Sequence, residues 1–403
     1  LTRRSLEHVI DDMRARDTLE SSSGWPDFSR RKSPEVKQRA IEAAKNGQWE
    51  TYPAIALFRN YRQKTRLVWM FPMAVNLYEA QFYQPLQDAM VKANIPFFRP
   101  WEGFESCRDS ITEAYDNHMY IQASDFSATD EHFRLEATLE VYDVIKDLFH
   151  SESDREDLLK SLTYMHTIPL IIDREHMITG EHGVASGSNW TNFIETIFDW
   201  IFSYYVQEMG IRKRVSTREN GHVIVHDGLY AIGDDMTWTS KWYSRDFNSE
   251  LEQWGSEVGQ IVKADKTTND PDKVKTLQRL FIRGYRRDDG KLRGVYPTIR
   301  ALNSLIYPEK YHNPKDWNSD LFCARTYMIL ENCVDHPLFT EFVQFVVHGQ
   351  HDLIDFAKKT DKDLASVTRR SKLLPGLNPT YNQEKRDSSL SEFASIKWVR
   401  ENL

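Results

Sequence analysis

Cysteine is almost missing from this chain: Cys107, Cys323 and Cys333 are the only three in 403 residues, and none stands in CxxC spacing. An odd, scattered set suggests neither a disulfide framework nor a zinc site, and it fits reducing intracellular conditions. Long apolar runs are missing too. No stretch approaches the roughly 20 residues a membrane-spanning helix requires, and the start, Leu1-Thr2-Arg3-Arg4, lacks the apolar core of a signal peptide. The expectation is a soluble globular chain without a membrane partner, and a first residue of Leu rather than Met suggests a start inside a longer product. Neither GxGxxG nor GxxxxGKS/T occurs, which weakens a doubly wound nucleotide-binding fold. Repeats, low-complexity tracts and long linkers are also absent, so subdomains should be interwoven. Excess positive charge is lacking as well. With a formal net charge of −8, any groove for nucleic acid has to be locally basic, because phosphate contacts need Lys and Arg to displace counterions.

What is present is a 40% hydrophobic composition, enough for a large core or several subdomains around a cleft. The basic residues are clumped: Arg30, Arg31 and Lys32; Arg59, Arg62, Lys64 and Arg66; Arg283, Arg286, Arg287, Lys291 and Arg293. Clumping alone usually marks a solvated face. Ser33 as cap, Pro34 at the first helical position and Gly47 beyond the end frame a helix. Glu131 to His150 reads as another helix. Asn189 to Met209 is the clearest, with Trp190, Phe193, Ile194, Ile197, Phe198, Ile201 and Tyr205 at helical spacing. The tail from Trp317 is mainly helical, with Phe339, Phe342, Phe345 and Val346 assigned to one face, and Trp238, Trp242 and Trp254 read as core.

Strand-like segments lie between: Met119 to Ser124; His222 to His226 and Leu229 to Ile232 around a turn at Asp227-Gly228; Met236 to Thr239; Gln260 to Ala264; and Leu280 to Tyr285, turning through Asp288-Asp289-Gly290 into Arg293 to Tyr296. Short strands mixed with helices in this order predict an α+β fold, an antiparallel sheet covered by helices.

Acidic residues sit at the strand ends. Asp125 closes one strand, and Asp234 with Asp235 occupies a Gly-Asp-Asp turn in which Gly233 permits a sharp bend. Hard carboxylate oxygens in such places suit Mg²⁺, and a pair of ions about 3.5 to 4 Å apart drives nucleotidyl transfer by clamping attacking and leaving oxygens. A Gly-Asp-Asp triplet alone says little, since average composition yields one by chance in about a tenth of chains this long. Its company says more. Asp125-Phe126-Ser127-Ala128-Thr129-Asp130, then Gly183-Val184-Ala185-Ser186-Gly187-Ser188-Asn189-Trp190-Thr191-Asn192, then Gly233-Asp234-Asp235 follow one another in the chain.

In that order these segments resemble motifs A, B and C of palm-type viral RNA-dependent RNA polymerases. Ser22-Ser23-Gly24-Trp25-Pro26 resembles motif G on the template path, Arg62-Gln63-Lys64-Thr65-Arg66 motif F, and Lys263-Ala264-Asp265-Lys266-Thr267 motif D. Leu280 to Tyr285 stands where motif E is expected. Ser23-Gly24-Trp25-Pro26, Lys64-Thr65-Arg66 and Leu302-Asn303-Ser304-Leu305 are most similar to the replicases of double-stranded RNA viruses, picobirnavirus-like first and partitivirus-like second.

The resemblance implies a right hand of fingers (1–116 and 134–179), palm (117–133 with motif A, 180–295 with motifs B to E) and helical thumb (296–403). It implies that Asp125 and Asp234 hold two Mg²⁺ ions (or Mn²⁺), with Asp235 as a weaker ligand. Arg62, Lys64 and Arg66 would clamp the triphosphate, Ser186 and Gly187 would line template and nucleotide, and Asp130 with Thr191 or Asn192 would read the ribose 2′-hydroxyl. Lys266 would protonate pyrophosphate. Asp130 has an alternative as cap of the following helix, and Lys263 competes with Lys266. Several positive-strand enzymes carry Asn four residues after the Thr, where this chain has Glu195, an acidic choice that also occurs among partitivirus-like enzymes. The implied partners are an RNA template and product, ribonucleoside triphosphates and a viral capsid protein, in the host cytoplasm inside viral particles. A reverse transcriptase and a non-catalytic viral RNA-binding protein are the alternatives; Asp130 and Gly233 favour RNA synthesis.

Overall fold

The computed structural model describes residues 1–61, 64–213, 224–308, 312–374, 377 and 383–403. The chain divides into two compact units, Leu1–Arg99 with Met119–Asn269 and Pro100–His118 with Asp270–Leu403. The first holds strands β1 (Ala54–Tyr61), β2 (Lys64–Met70), β3 (Tyr120–Asp125), β4 (Leu170–Ile171), β5 (Met177–Ile178), β6 (His226–Ile232), β7 (Asp235–Ser240) and β8 (Thr268–Asn269). They form two sheets, β2-β1-β4-β5 and β6-β7-β3-β8. Every pairing in the second is antiparallel, as the sequence predicts. β3 and β7 are its central strands, and their alternating Thr, aromatic and aliphatic residues suit a sheet covered on both faces. Trp238 shows why they lie where they do: it is wholly buried, donates from Nε1 to Ser124 Oγ at 2.9 Å, and meets Phe202 and Phe247 edge-on. Trp254 is also core, whereas Trp242 is exposed.

The apolar stripe predicts one long helix, and the helix runs Trp190–Arg212. Burying each large apolar side chain on it contributes about 1.5–3 kcal/mol. Its buried face is not purely apolar, however, because Glu195, Thr196, Asp199 and Ser203 lie on it. Pro34–Asn46 is likewise helical and ends at Gly47 with φ +86°, although Ser33 makes no capping bond through its side chain.

Three further expectations are corrected in this unit. Asp227-Gly228 is not a turn: β6 runs through it with a bulge. A Cβ on Gly228 would lie 2.7 Å from Phe97 Cε2 and 2.8 Å from Ser203 Cβ, so the glycine lets the strand approach the long helix. His222 and Val223 of that expected strand lie outside the described residues. The helix expected over 131–150 is broken, into Thr129–His132 and Leu135–Ile145 followed by a 3-10 turn. Phe133 leaves helical geometry at ψ 89° and is wholly buried edge-on against Phe198, so packing overrides propensity. Gln260 to Ala264 is not a strand either; only Val262 bridges, to Phe126.

The second unit carries the hairpin β9 (Lys273–Thr276) and β10 (Arg279–Ile282), shorter than expected, with bridges Leu280 to Val295 and Arg286 to Leu292. Helices including Ser319–Glu331, Phe339–Gly349 and Ala394–Asn402 pack around Tyr327, Leu330, Val343 and Ile396. On Phe339–Gly349 the buried face is Phe339, Val343 and Val347; Phe345, assigned to it from sequence, is 67% exposed. Arg108, fully buried, donates to Asp335 at 2.6 Å and the Leu292 carbonyl at 2.9 Å and pairs with Glu384. Among the described residues none of the three cysteines is in a disulfide, all three are buried, and no helix is long and apolar enough to cross a membrane.

Candidate active site

The site begins with register. Asp125 ends β3, Asp235 begins β7, and the two are directly paired. Ile232 pairs with Asp235 on the other side, so Gly233 and Asp234 form a two-residue turn. Gly233 sits at φ +58°, in the left-handed region that glycine occupies without strain at the first central position of such turns. The turn is tied down from the long helix: Gly233 N donates to Thr196 Oγ1 at 2.9 Å. Three carboxylates therefore share one edge of the sheet, each half-buried. Like charges directly opposite one another destabilise a sheet, and the acidities show it. Burial, then the charges of Asp234 and Asp125, push Asp235 up to about 7. Asp234 is also raised by burial; the Thr129 hydroxyl, donating to Oδ2 at 3.0 Å, pulls it back, and the Asp125 and Asp130 charges push it up again. Asp125 is raised by burial and opposed by the charge of Lys266.

Asp130 lies in the first turn of Thr129–His132, whose N-cap is Ala128, so capping is not its role. One side of it is open to solvent, yet the protein around its carboxylate raises its pKa, against the charge of Arg66. Arg66 on β2 thus acts electrostatically on Asp130, and Lys266 in the turn 264–266 on Asp125. Lys64 is exposed nearer the hairpin tip, in register with Tyr61. Arg62 lies outside the described residues.

The segment 183–189 is held by close backbone approach. Ser186 Oγ accepts from Trp69 N at 3.1 Å. A Cβ on Gly187 would fall 1.8 Å from Trp69 O, and one on Gly183 would fall 1.7 Å from Asp130 O. Thr191 gives its hydroxyl to the Ala185 carbonyl. Asn192 instead faces the acidic turn, its Nδ2 lying 3.3 Å from where a Cβ on Gly233 would be, with Glu195 Oε2 at 3.4 Å.

Glu195 and Asp199 are held well above the usual carboxylate range, first by burial and then by the neighbouring acidic charges. Asp199 was missed from the sequence, because an acid within an apolar stripe reads as its polar edge. It is fully buried, and among the described residues neither carboxyl oxygen has a hydrogen-bond partner. Its folded pKa is raised, so its contribution to stability is fully present below the unfolded pKa and is lost as pH rises toward the folded one. Asp199→Asn, which does not ionise, is expected to gain stability relative to wild type progressively as pH rises from 4 to 8. Thermal melts across that range without divalent cation check it; a difference independent of pH rules the argument out.

A four-stranded antiparallel sheet with helices packed on it, and an acidic turn beside an acidic strand end, defines the chain as a right-hand polymerase fold. The solved RNA-dependent RNA polymerase of a human picobirnavirus superposes with a TM-score of 0.79 at 23% identity, covering 100% of this chain and 76% of that one. Its insertion-loop deletion mutant matches with the same values. The profile described as "Viral RNA-dependent RNA polymerase" matches residues 61–310, more than half the length, and the chain belongs to that family. It is 28% identical over 352 residues to the "Potential RNA-dependent RNA polymerase" of Human picobirnavirus (strain Human/Thailand/Hy005102/-), spanning 82% of this chain and 62% of that protein. It is 22% identical over 259 residues to the "RNA-directed RNA polymerase" of Cryptosporidium parvum virus 1 (strain KSU-1), spanning 63% of this chain and 46% of that one. The chain thus spans less than two thirds of the length of either curated relative.

Proposed function

We propose that the chain is an RNA-directed RNA polymerase that adds ribonucleoside monophosphates to a growing RNA strand for viral genome replication and transcription. The observation that carries this reading is the register of Asp125 against Asp235 around the Asp234 turn, with Lys266 acting on Asp125 and Arg66 on the adjacent Asp130. A bound cation would offset the mutual repulsion of these carboxylates, and Asp125, Asp234 and Asp235 each keep part of their surface open to solvent. Among the described residues no three acidic, His or Cys side chains make a ready cage. The carboxylate oxygens of Asp125 and Asp234 would suit Mg²⁺ or Mn²⁺, because Mg²⁺ takes one or two protein carboxylates and completes its shell with water and phosphate. Asp125 and Asp234 would hold two ions, with Asp235 outside them; when bound, these supply charge neutralisation and a clamp on the attacking and leaving oxygens.

The remaining work falls to the chain. Lys64 and Arg66 orient the triphosphate, Arg through its planar fork and Lys as a point charge. Ser186 and Gly187 shape the floor under template and nucleotide, and Lys266 gives its proton to the departing pyrophosphate. Fingers, palm and helical thumb as assigned from the motifs, a capsid protein as partner, and action in the host cytoplasm within particles belong to the same proposal. Incubation with single-stranded RNA, labelled ribonucleotides and Mg²⁺ or Mn²⁺ should yield complementary product, and EDTA should stop it. No product with either ion overturns the reading.

Sugar choice gives a sharper test. Asp130 accepts a hydrogen bond from the 2′-hydroxyl, and a nucleotide lacking that group leaves the acceptor desolvated at a cost of about 1–3 kcal/mol. Asp130→Ala is therefore expected to cut ribose preference by about tenfold or more. Incorporation of ribo- and deoxyribonucleotides by wild type and variant measures it, and an equal ratio in both removes Asp130 from the role.

A further inference from the structure

The helix Met73–Lys92 is amphipathic only weakly, and its first turns are buried on all sides. Two polar residues there, Asn76 and Glu79, are 3% and 1% exposed. Buried polar groups persist where they are matched, and these two are matched across three segments. Glu79 accepts from the Ser188 hydroxyl, from Asn189 N at 3.1 Å and from Asn76 Nδ2 at 3.0 Å. Asn76 Nδ2 also donates to Gly187 O at 3.1 Å, and Asn76 O accepts from Asn189 Nδ2 at 3.1 Å. On the other side Asn76 Oδ1 accepts from Arg31 Nη2 at 2.8 Å, and Arg31 Nε donates to Ser22 O at 3.0 Å. The backbone follows the same path: Met73 N donates to Ser23 O at 2.8 Å.

The three residues held by Glu79 and Asn76 lead directly into Trp190–Arg212, the helix that places Asn192 and Glu195 against the Gly233 turn. Segment 22–31 is held by Asn76 through Arg31, whose charge also acts on Glu79. We infer that Glu79 is a positioning residue for nucleotide selection: with Asn76 it fixes Gly187–Asn189, and hence the start of the helix beneath the acidic turn, and joins that segment to Ser22 and Arg31. Glu79 touches neither nucleotide nor metal ligand. It acts through Ser188 and Asn189. Its own acidity agrees with a group embedded in a network: burial pushes it up to about 7, against the donors Ser188, Asn76 and Asn189 N and the charge of Arg31.

This inference rests on the polymerase reading, and the experiment separates the two. Wild type is assayed first; if it makes no RNA, the polymerase reading fails. If wild type is active, Glu79→Ala is expected to raise the apparent KM for ribonucleotides and lower ribose preference, each by about ten- to a hundredfold, the range a displacement near 1 Å produces. The Mg²⁺ concentration for half-maximal rate should stay unchanged. Glu79→Gln keeps an acceptor oxygen and should recover most of the loss. Ser188→Ala, which removes one donor with little change of volume, should shift KM and preference in the same direction, and it serves if Glu79→Ala does not fold. Variants that melt lower but keep wild-type KM and ribose preference overturn the inference, since a purely structural role predicts that pattern.

Discussion

Replacing Asp234 by Asn should lower RNA synthesis by ~10³-fold or more and, in the absence of divalent cation, raise the melting temperature. The first effect follows from the several kcal/mol that metal-assisted charge neutralisation supplies in nucleotidyl transfer, at about 1.4 kcal/mol per tenfold of rate. The second follows from the fold. Asp235, Glu195 and Asp199 are each raised by the charge of Asp234, and Asp234 is raised by that of Asp125. Asn keeps an oxygen for the Thr129 hydroxyl while removing the charge at the centre of this group. Relief of about 1 kcal/mol corresponds to roughly 2 °C in a large chain. Added Mg²⁺ should then raise the melting temperature of wild type but not of the variant, because only the former gains a ligand bound to the folded state alone. A variant that keeps synthesis within tenfold of wild type, or melts lower without cation, contradicts the assignment.

Gly183→Ala should reduce synthesis by ~100-fold while the protein still folds. The new Cβ would fall 1.7 Å from Asp130 O and 2.8 Å from its carbonyl carbon, both backbone atoms that cannot rotate away. Overpacking of this kind costs about 1–3 kcal/mol, and a shift near 1 Å of a positioned group costs ~100-fold in rate. Ribose preference should fall with the rate, since Asp130 is the group displaced. Gly349→Ala is the control: nothing lies within 4 Å of its added carbon, and its stability and activity should match wild type. Equal activity of Gly183→Ala and that control would show that segment 183–189 absorbs the carbon without moving Asp130.

The acidic residues and their order in the chain were legible because each sits where a strand ends or a tight turn needs glycine. The long helix was legible from its apolar stripe. What the sequence did not reveal lies in partners distant along the chain. Nothing local says that Asp125 stands opposite Asp235, since register depends on how β3 and β7 meet. Thr129 reads as a helix-starting residue, yet its hydroxyl reaches Asp234. Nothing local along the chain marks Glu79 or Asp199 as a buried acid, and only the fold shows that each is. Gly228 was read as a turn because glycine after aspartate usually is one, whereas its task is to admit Phe97 and Ser203. Phe133 broke an expected helix for the same reason: a tertiary contact outweighed local preference.

The pairing of Asp125 with Asp235 also sets a timetable for the growing chain. The two strands lie far apart in sequence, and β7 is made only after the whole of the long helix has been synthesised. At ~5–20 residues per second, β3 waits on the order of 5–20 s for its partner. During that wait its edge stays unpaired, and non-local pairings of this kind are slow to form. The acidic centre therefore does not exist in any nascent chain shorter than about β7, and a truncated translation product ending before it carries the motif A aspartate with nothing to act beside.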